Sequence, residues 1–191
     1  MSTEAALDRE SDARIAVIVL TGVSGSGKST IGSALSETLG WPYSEADDFH
    51  PQANIDKMSK GIPLTDEDRA PWLAKLAAFI ADICTRGQHA IVSCSALKRT
   101  YRMTLAGSWK DQVRFVLLDG TEDEIAARLA KRTGHFMPPS LLHSQFATLE
   151  RPAPDEDSLV VPIGGSKDAI VAQIVDDLRR SHVTVMAKPS V

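Results

Sequence analysis

Apolar positions along this chain follow two rhythms. Ile15-Ala16-Val17-Ile18-Val19-Leu20 is an unbroken apolar run rich in β-branched residues. Such a run predicts a strand buried on both faces, as in a parallel sheet. Shorter stretches at Trp41–Glu45, His89–Ser93, Val113–Leu118 and Leu159–Pro162 predict four more strands. Between them, apolar residues recur at helical spacing over Ser29–Leu39, Thr65 to about Thr85, Lys98–Leu105, Glu122–Arg132, Leu141–Glu150 and Lys167–Arg180. In the second of these helices Trp72, Leu73, Leu76, Phe79, Ile80 and Ile83 fall on one stripe. Gly40 closes the first helix. Thr65 before Asp66-Glu67-Asp68, and Thr121 before Glu122, read as N-caps leading into acidic first turns. Asp47–Gly61 is polar and mixed and predicts a short helix after a loop. Strands alternating with helices imply βαβ units and an α/β fold on a parallel sheet.

Composition narrows the class. At 191 residues the chain is about one domain long. Hydrophobic residues at 43% and charged residues at 24% exclude disorder over the whole length. We read residues 1–13 as a leader, 14–181 as one domain and 182–191 as a tail. The breaks at 40–65 and 133–140 read as inserted segments, the latter as a lid. The net charge is −4 and no basic block occurs, which disfavours nucleic acid and anionic membranes as partners. Two cysteines are too few for a disulfide framework. No apolar run is long enough to cross a membrane, and Met1–Arg14 lacks the apolar core of a signal peptide. These features together predict a cytoplasmic protein.

Gly22-Val23-Ser24-Gly25-Ser26-Gly27-Lys28-Ser29 matches the phosphate-loop pattern G-x-x-x-x-G-K-[ST] in full, between a predicted strand and a predicted helix. Glycines let backbone N–H groups turn inward around a phosphate, and the following helix aims its N-terminal dipole at the same anion. Lys28 is expected to reach the β- and γ-phosphates, and the Ser29 hydroxyl to ligate Mg2+. The loop and the adjoining Thr30 form the expected ATP site. Asp119 ends an apolar strand and resembles a magnesium-associated acid. The strand expected beside the phosphate loop is instead His89–Ser93, which runs into Ser93-Cys94-Ser95 with no acid. Asp119 is therefore read as a strand-end residue.

A phosphate loop does not name the acceptor. In open α/β sheets, ligands bind at the carboxyl ends of strands, which brings the Asp47-Asp48-Phe49-His50 segment toward the loop. A carboxylate there can orient an acceptor hydroxyl, take its proton or hold a magnesium-bound water, and Asp47 is preferred to Asp48. His50, Asn54 and Lys57 would share a helix face, suited to a polar, anionic small molecule. Lys98, Arg99 and Arg102 follow the third strand and suit a carboxylate or phosphate. Cys94 reads as a buried small apolar residue. Arg128 and Arg132 lie one helical turn apart before Gly134-His135-Phe136-Met137-Pro138-Pro139, where they could clamp transferring phosphates as a lid closes. Lys131 falls on another face and reads as solvated.

These stretches together resemble the thermoresistant-type gluconokinases of the phosphate-loop kinase superfamily. The likeness rests on Gly22–Ser29, on Asp47-x-x-His50-Pro51-x-x-Asn54-x-x-Lys57-Met58, and on Gly61-x-Pro63-Leu64-x-Asp66-x-Asp68-Arg69-x-Pro71-Trp72-Leu73. It continues in Cys94-Ser95-Ala96-Leu97-Lys98-Arg99-x-Tyr101-Arg102, Gly134-His135-Phe136-Met137-Pro138 and Ser144-Gln145-Phe146-x-x-Leu149-Glu150. It spans roughly residues 15–180. Asp48 departs from the apolar residue expected there. The resemblance implies a five-stranded parallel sheet in the order 2-3-1-4-5 and ATP-dependent phosphorylation of D-gluconate at its 6-hydroxyl. It also implies a homodimer. By likeness to shikimate kinases, Asp47 and Arg69 would fall on the acceptor, and Arg128 and Arg132 on the nucleotide. The expected acceptor set is Asp47, His50, Arg69, Lys98, Arg102 and His135, with Arg69, Lys98 or Arg102 meeting the substrate carboxylate. Lys28, Arg128 and Arg132 would neutralise charge during transfer beside Asp47. A related kinase for shikimate, a nucleotide or another sugar acid is the nearest alternative, and a nucleotide-dependent switch is a more distant one.

Overall fold

The short, β-branched runs do become strands, and they join into one sheet in the order β2-β3-β1-β4-β5. The computed structural model describes residues 15–131 and 139–180. The strands are β1 (Val17–Thr21), β2 (Tyr43–Glu45), β3 (Ala90–Ser93), β4 (Val113–Asp119) and β5 (Leu159–Pro162). All pairings are parallel, with Val19 opposite Val92 on one side and Phe115 on the other. Both β3 and β4 flank β1, as the expected order requires, and β3 lies beside the strand that enters the phosphate loop.

The helices are α1 (Lys28–Leu39), α2 (Gln52–Ser59), α3 (Asp66–Thr85), α4 (Arg99–Ala106), α5 (Glu122–Ala130), α6 (Pro139–Thr148) and α7 (Lys167–Arg180). Short 3-10 turns at Ala46–Phe49, Gly107–Trp109 and Pro154–Glu156 complete the chain's order. Alternation along β1 sorts the core into two layers. Ile18 and Leu20 pack with α1, α5 and α7 through Leu35, Ile125 and Ile174. Val17 and Val19 pack on the other face against α3 and α4 through Leu76, Ile80 and Leu105. Burial on both faces is why β1 has no polar alternation.

Local chemistry sets the boundaries. Thr65 and Asp68 form a reciprocal capping box at the start of α3, and Thr121 and Glu124 form another at α5. Each satisfies orphan N–H groups of the first turn. Gly40 ends α1 in the left-handed conformation. The α5 helix stops at Ala130, before the expected Arg132. Arg132 and His135 lie outside the described residues, as do the leader, the tail and residues 133–138 of the expected lid. Among the described residues no helix is long and apolar enough to cross a membrane.

Candidate active site

The phosphate loop joins the carboxyl end of β1 to the first turn of α1. Two of its glycines are sterically required. A Cβ on Gly22 (φ 132°) would lie 2.8 Å from the Leu118 carbonyl oxygen of β4, and one on Gly25 (φ 84°) 2.8 Å from the Leu129 side chain. The Lys28 Nζ donates to the carbonyls of Gly22 and Val23 at 2.9 Å each, curling over the loop. Burial lowers the Lys28 ammonium to a pKa of about 8, and the negative charge of Asp47 partly offsets that effect. Val23 and Ser26 are buried, whereas Ser29 and Thr30 are exposed at the helix start.

A cleft of about 460 Å³ opens over this loop, walled by Ser24, Gly25, Gly27, Lys28, Ser29 and Thr30 and by Arg128 and Leu129 of α5. Arg128 also donates to the Ile163 carbonyl, which holds its guanidinium beside the loop. Lys131 is exposed as expected, yet it stands on the wall of this same cleft.

A second cleft, of about 300 Å³, adjoins the first. Asp47, His50, Arg69, Trp72, Ser93 and Cys94 are among its walls, together with Ser24 and Lys28. Ser24 and Lys28 line both clefts. A nucleotide's terminal phosphate and a small polar acceptor can therefore meet at one lysine. Asp47 points into solvent-accessible space, with its side chain 85% exposed. His50 stacks on Trp72 at 4.3 Å between ring centroids. Its Nδ1 lies 3.3 Å from Asn54 Nδ2, an obligate donor, so the proton sits on Nε2, which is 4.0 Å from Asp47. Burial lowers the His50 pKa and favours this neutral form.

The expected face of His50, Asn54 and Lys57 divides on inspection. His50 meets the cleft. Asn54 is buried and donates to the Asp68 carbonyl, while Lys57 is committed to the Asp68 carboxylate at 2.7 and 2.8 Å. The three candidate carboxylate-binding cations also part company. Arg69 lines the acceptor cleft, with Nη1 3.4 Å from the Tyr101 hydroxyl and 3.6 Å from Asp66. Lys98 lies behind it and binds Asp66 at 2.6 Å. Those contacts, with the Lys98 bond foremost, hold the Asp66 carboxyl below the usual range.

Arg102 must be reassigned. Its side chain is 3% exposed and turns away from the acceptor cleft. Nε and Nη2 make a fork to both Glu156 carboxylate oxygens at 2.7 and 2.9 Å. Nη1 donates to the Glu150 and Ala96 carbonyls at 2.9 and 3.3 Å. Four of its five N–H donors are engaged in this way, and the side chain is buried away from the acceptor cleft. It pins the β3–α4 loop, in which Ala96 holds a left-handed φ of 37°. Asp119 fits its reading as a strand-end residue: Arg151 grips it with two bonds of 3.0 Å.

Three features escaped the sequence reading. Gln145 of α6 lines the acceptor cleft and accepts the Ser24 N–H at 2.7 Å. Tyr101 ties Arg69 to Asp66, its hydroxyl donating to the Asp66 carboxylate. Trp72, assigned to the core stripe, also stacks on His50 and donates to the Ala46 carbonyl at 2.7 Å, which holds the Asp47 turn. Gln145 does fall in the Ser144-Gln145-Phe146 stretch that carries the family resemblance, but that stretch assigns it no role. The other two required the tertiary fold.

The parallel sheet and the paired clefts at its carboxyl edge define a phosphate-loop phosphotransferase with a small-molecule acceptor. Comparison with known proteins sharpens this. Residues 17–152 match the sequence profile of a family described as an AAA domain. A gluconokinase of Gluconobacter oxydans is 46% identical over 160 residues, covering 83% of this chain and 88% of that one. The crystal structure of a gluconokinase from Sinorhizobium meliloti superposes with a TM-score of 0.78 at 46% identity, over 87% of this chain and 94% of the other. An unliganded sugar kinase from a Janibacter species gives a TM-score of 0.80 at 43% identity, over 88% and 98%. The chain belongs to the gluconokinase family and, as a phosphate-loop kinase, uses ATP.

Proposed function

We propose that this enzyme transfers the γ-phosphoryl group of ATP to the 6-hydroxyl of D-gluconate, giving 6-phospho-D-gluconate and ADP. The observation that carries the reading is the sharing of Ser24 and Lys28 by the two clefts, with one carboxylate, Asp47, and one cation, Arg69, on the acceptor side. The family's named activity supplies the sugar acid. Arg69 pairs with its carboxylate, and the imidazole of His50 offers Nε2–H to a sugar hydroxyl. Asp47 stands as the acceptor for the 6-hydroxyl proton. Phosphoryl transfer is mainly positioning and charge neutralisation, which fall to Lys28 and Arg128. Arg132 and His135 keep their expected roles as nucleotide and substrate ligands within this reading, whereas Lys98 supports Asp66 and Arg102 supports the β3–α4 loop.

Among the described residues no cluster of three or more His, Cys, Asp or Glu forms a protein-only metal site. Mg2+ favours a few oxygen donors alongside phosphates. The exposed Ser29 hydroxyl at the start of α1 would hold it, and the ion would neutralise phosphate charge. We place the enzyme in the cytoplasm, supported by its two free, buried cysteines, and as a homodimer on the family resemblance.

The test is ADP release from MgATP with D-gluconate, shikimate, a nucleoside monophosphate panel or no acceptor. Gluconate-dependent release is expected. Release dependent on another acceptor would replace the substrate, and equal slow release in every tube would replace a metabolic kinase with a nucleotide switch.

A further inference from the structure

The phosphate loop carries a tether that nucleotide binding does not explain. Ser24 N–H donates to Gln145 Oε1 at 2.7 Å, across 121 positions of sequence. Gln145 lies on α6, three residues after Leu142, which is buried in the core, so its backbone is held by packing. A backbone N–H can bond only the carbonyl end of a carboxamide. The bond therefore fixes which way the amide faces, and Nε2 is turned away from the loop backbone. Gln145 is also a wall of the acceptor cleft, next to the two residues, Ser24 and Lys28, that belong to both clefts. The carboxamide thus borders the end of the acceptor cleft where Ser24 joins it to the nucleotide cleft.

We infer that Gln145 is a further catalytic residue of the transfer site: Ser24 anchors Oε1, and Nε2 donates to a non-bridging oxygen of the transferring phosphoryl group. Preorganised donors aimed at developing charge are worth roughly 100-fold to 1,000-fold in kcat when removed one at a time. Gln145 itself exchanges no proton; it stabilises charge while the acceptor oxygen–phosphorus bond forms and the ADP oxygen–phosphorus bond breaks. The inference rests on the kinase reading above.

Two substitutions separate the donor from the tether. Gln145→Glu keeps side-chain length and an oxygen for the Ser24 N–H but removes the donor. Gln145→Lys keeps a donor and removes the oxygen. Both are measured with saturating MgATP and gluconate, beside wild type, and both are checked for an unchanged melting temperature. We expect Gln145→Glu to lose about 100-fold or more in kcat and Gln145→Lys to stay within about 10-fold of wild type. If Gln145 only tethers α6 to the loop, the order reverses: Glu is near wild type and Lys is impaired. That reversal, or equal losses in both, overturns the proposal. A wild-type enzyme with no gluconate-dependent turnover overturns the kinase reading, and this proposal falls with it. Wild-type turnover with the wrong order of variants overturns this proposal alone.

Discussion

Arg102→Met tests whether the buried guanidinium belongs to the scaffold or to the substrate. The methionine keeps the aliphatic stem and removes four donated hydrogen bonds, two of them to Glu156. Glu156 is only 10% exposed, so its charge is left without its partner. Breaking one side of a buried pair costs about 3–5 kcal/mol. For a domain of this size each kcal/mol moves the melting temperature by about 2–4 °C, so a fall of about 6–20 °C is expected. Thermal unfolding followed by circular dichroism measures it. The gluconate KM, taken well below the transition, is expected to stay within about threefold of wild type, since no group on the cleft wall is removed. The double variant Arg102→Met/Glu156→Met removes both charges and is expected to be more stable than the single variant. The pair's pH dependence follows its sign. Arg102 holds the folded Glu156 carboxyl below its ordinary range. Its stabilisation is thus present above the unfolded pKa and lost as pH falls through the lower folded value. A single variant that melts within about 2 °C of wild type but raises the gluconate KM more than tenfold would put Arg102 on the substrate and refute the reasoning.

Further predictions concern the two clefts. Burial sets Lys28 near pH 8, so the free enzyme loses this cation as pH rises through about 8. The kcat/KM for ATP should bend downward there, while kcat, read on the nucleotide-bound form, bends at higher pH; a flat kcat/KM profile to pH 9.5 would refute the lowered Lys28 pKa. Asp47→Asn is expected to lower kcat by about 100-fold or more with little change in ATP affinity, and an unchanged kcat would remove Asp47 as the proton acceptor. Arg69→Ala should raise the gluconate KM by about 10-fold to 100-fold, the worth of one charged hydrogen bond, and leave the KM for ATP nearly fixed. Equal loss for both substrates would indicate a structural role instead.

Elements with local causes were legible. The apolar run of β1, the capping threonines 65 and 121, and Gly40 each act through neighbours in sequence, and each element forms where its signal predicts. Strand order came only through the family resemblance, because nothing local states that β1 lies between β3 and β4. The acceptor cations show the same limit. Lys98 and Arg102 occupy one basic run, yet one meets Asp66 across the α3–α4 contact and the other meets Glu156, fifty-four positions on. Spacing places them on a helix; only the packing of α3 and the Pro154–Glu156 turn decides which charge each meets. Lys57 was misread for the same reason, since its partner Asp68 comes from the capping box of another helix.

Cys94 lines the acceptor cleft, within reach of the chemistry, and takes no part in it. Its burial pushes the thiol up to about 12. At neutral pH the group is therefore held as the thiol and not as the thiolate, the form that oxidants and alkylating agents attack. The enzyme thus keeps a sulfur atom beside its reacting groups without the vulnerability that position usually brings. Iodoacetamide at concentrations that silence thiolate enzymes should therefore leave it working.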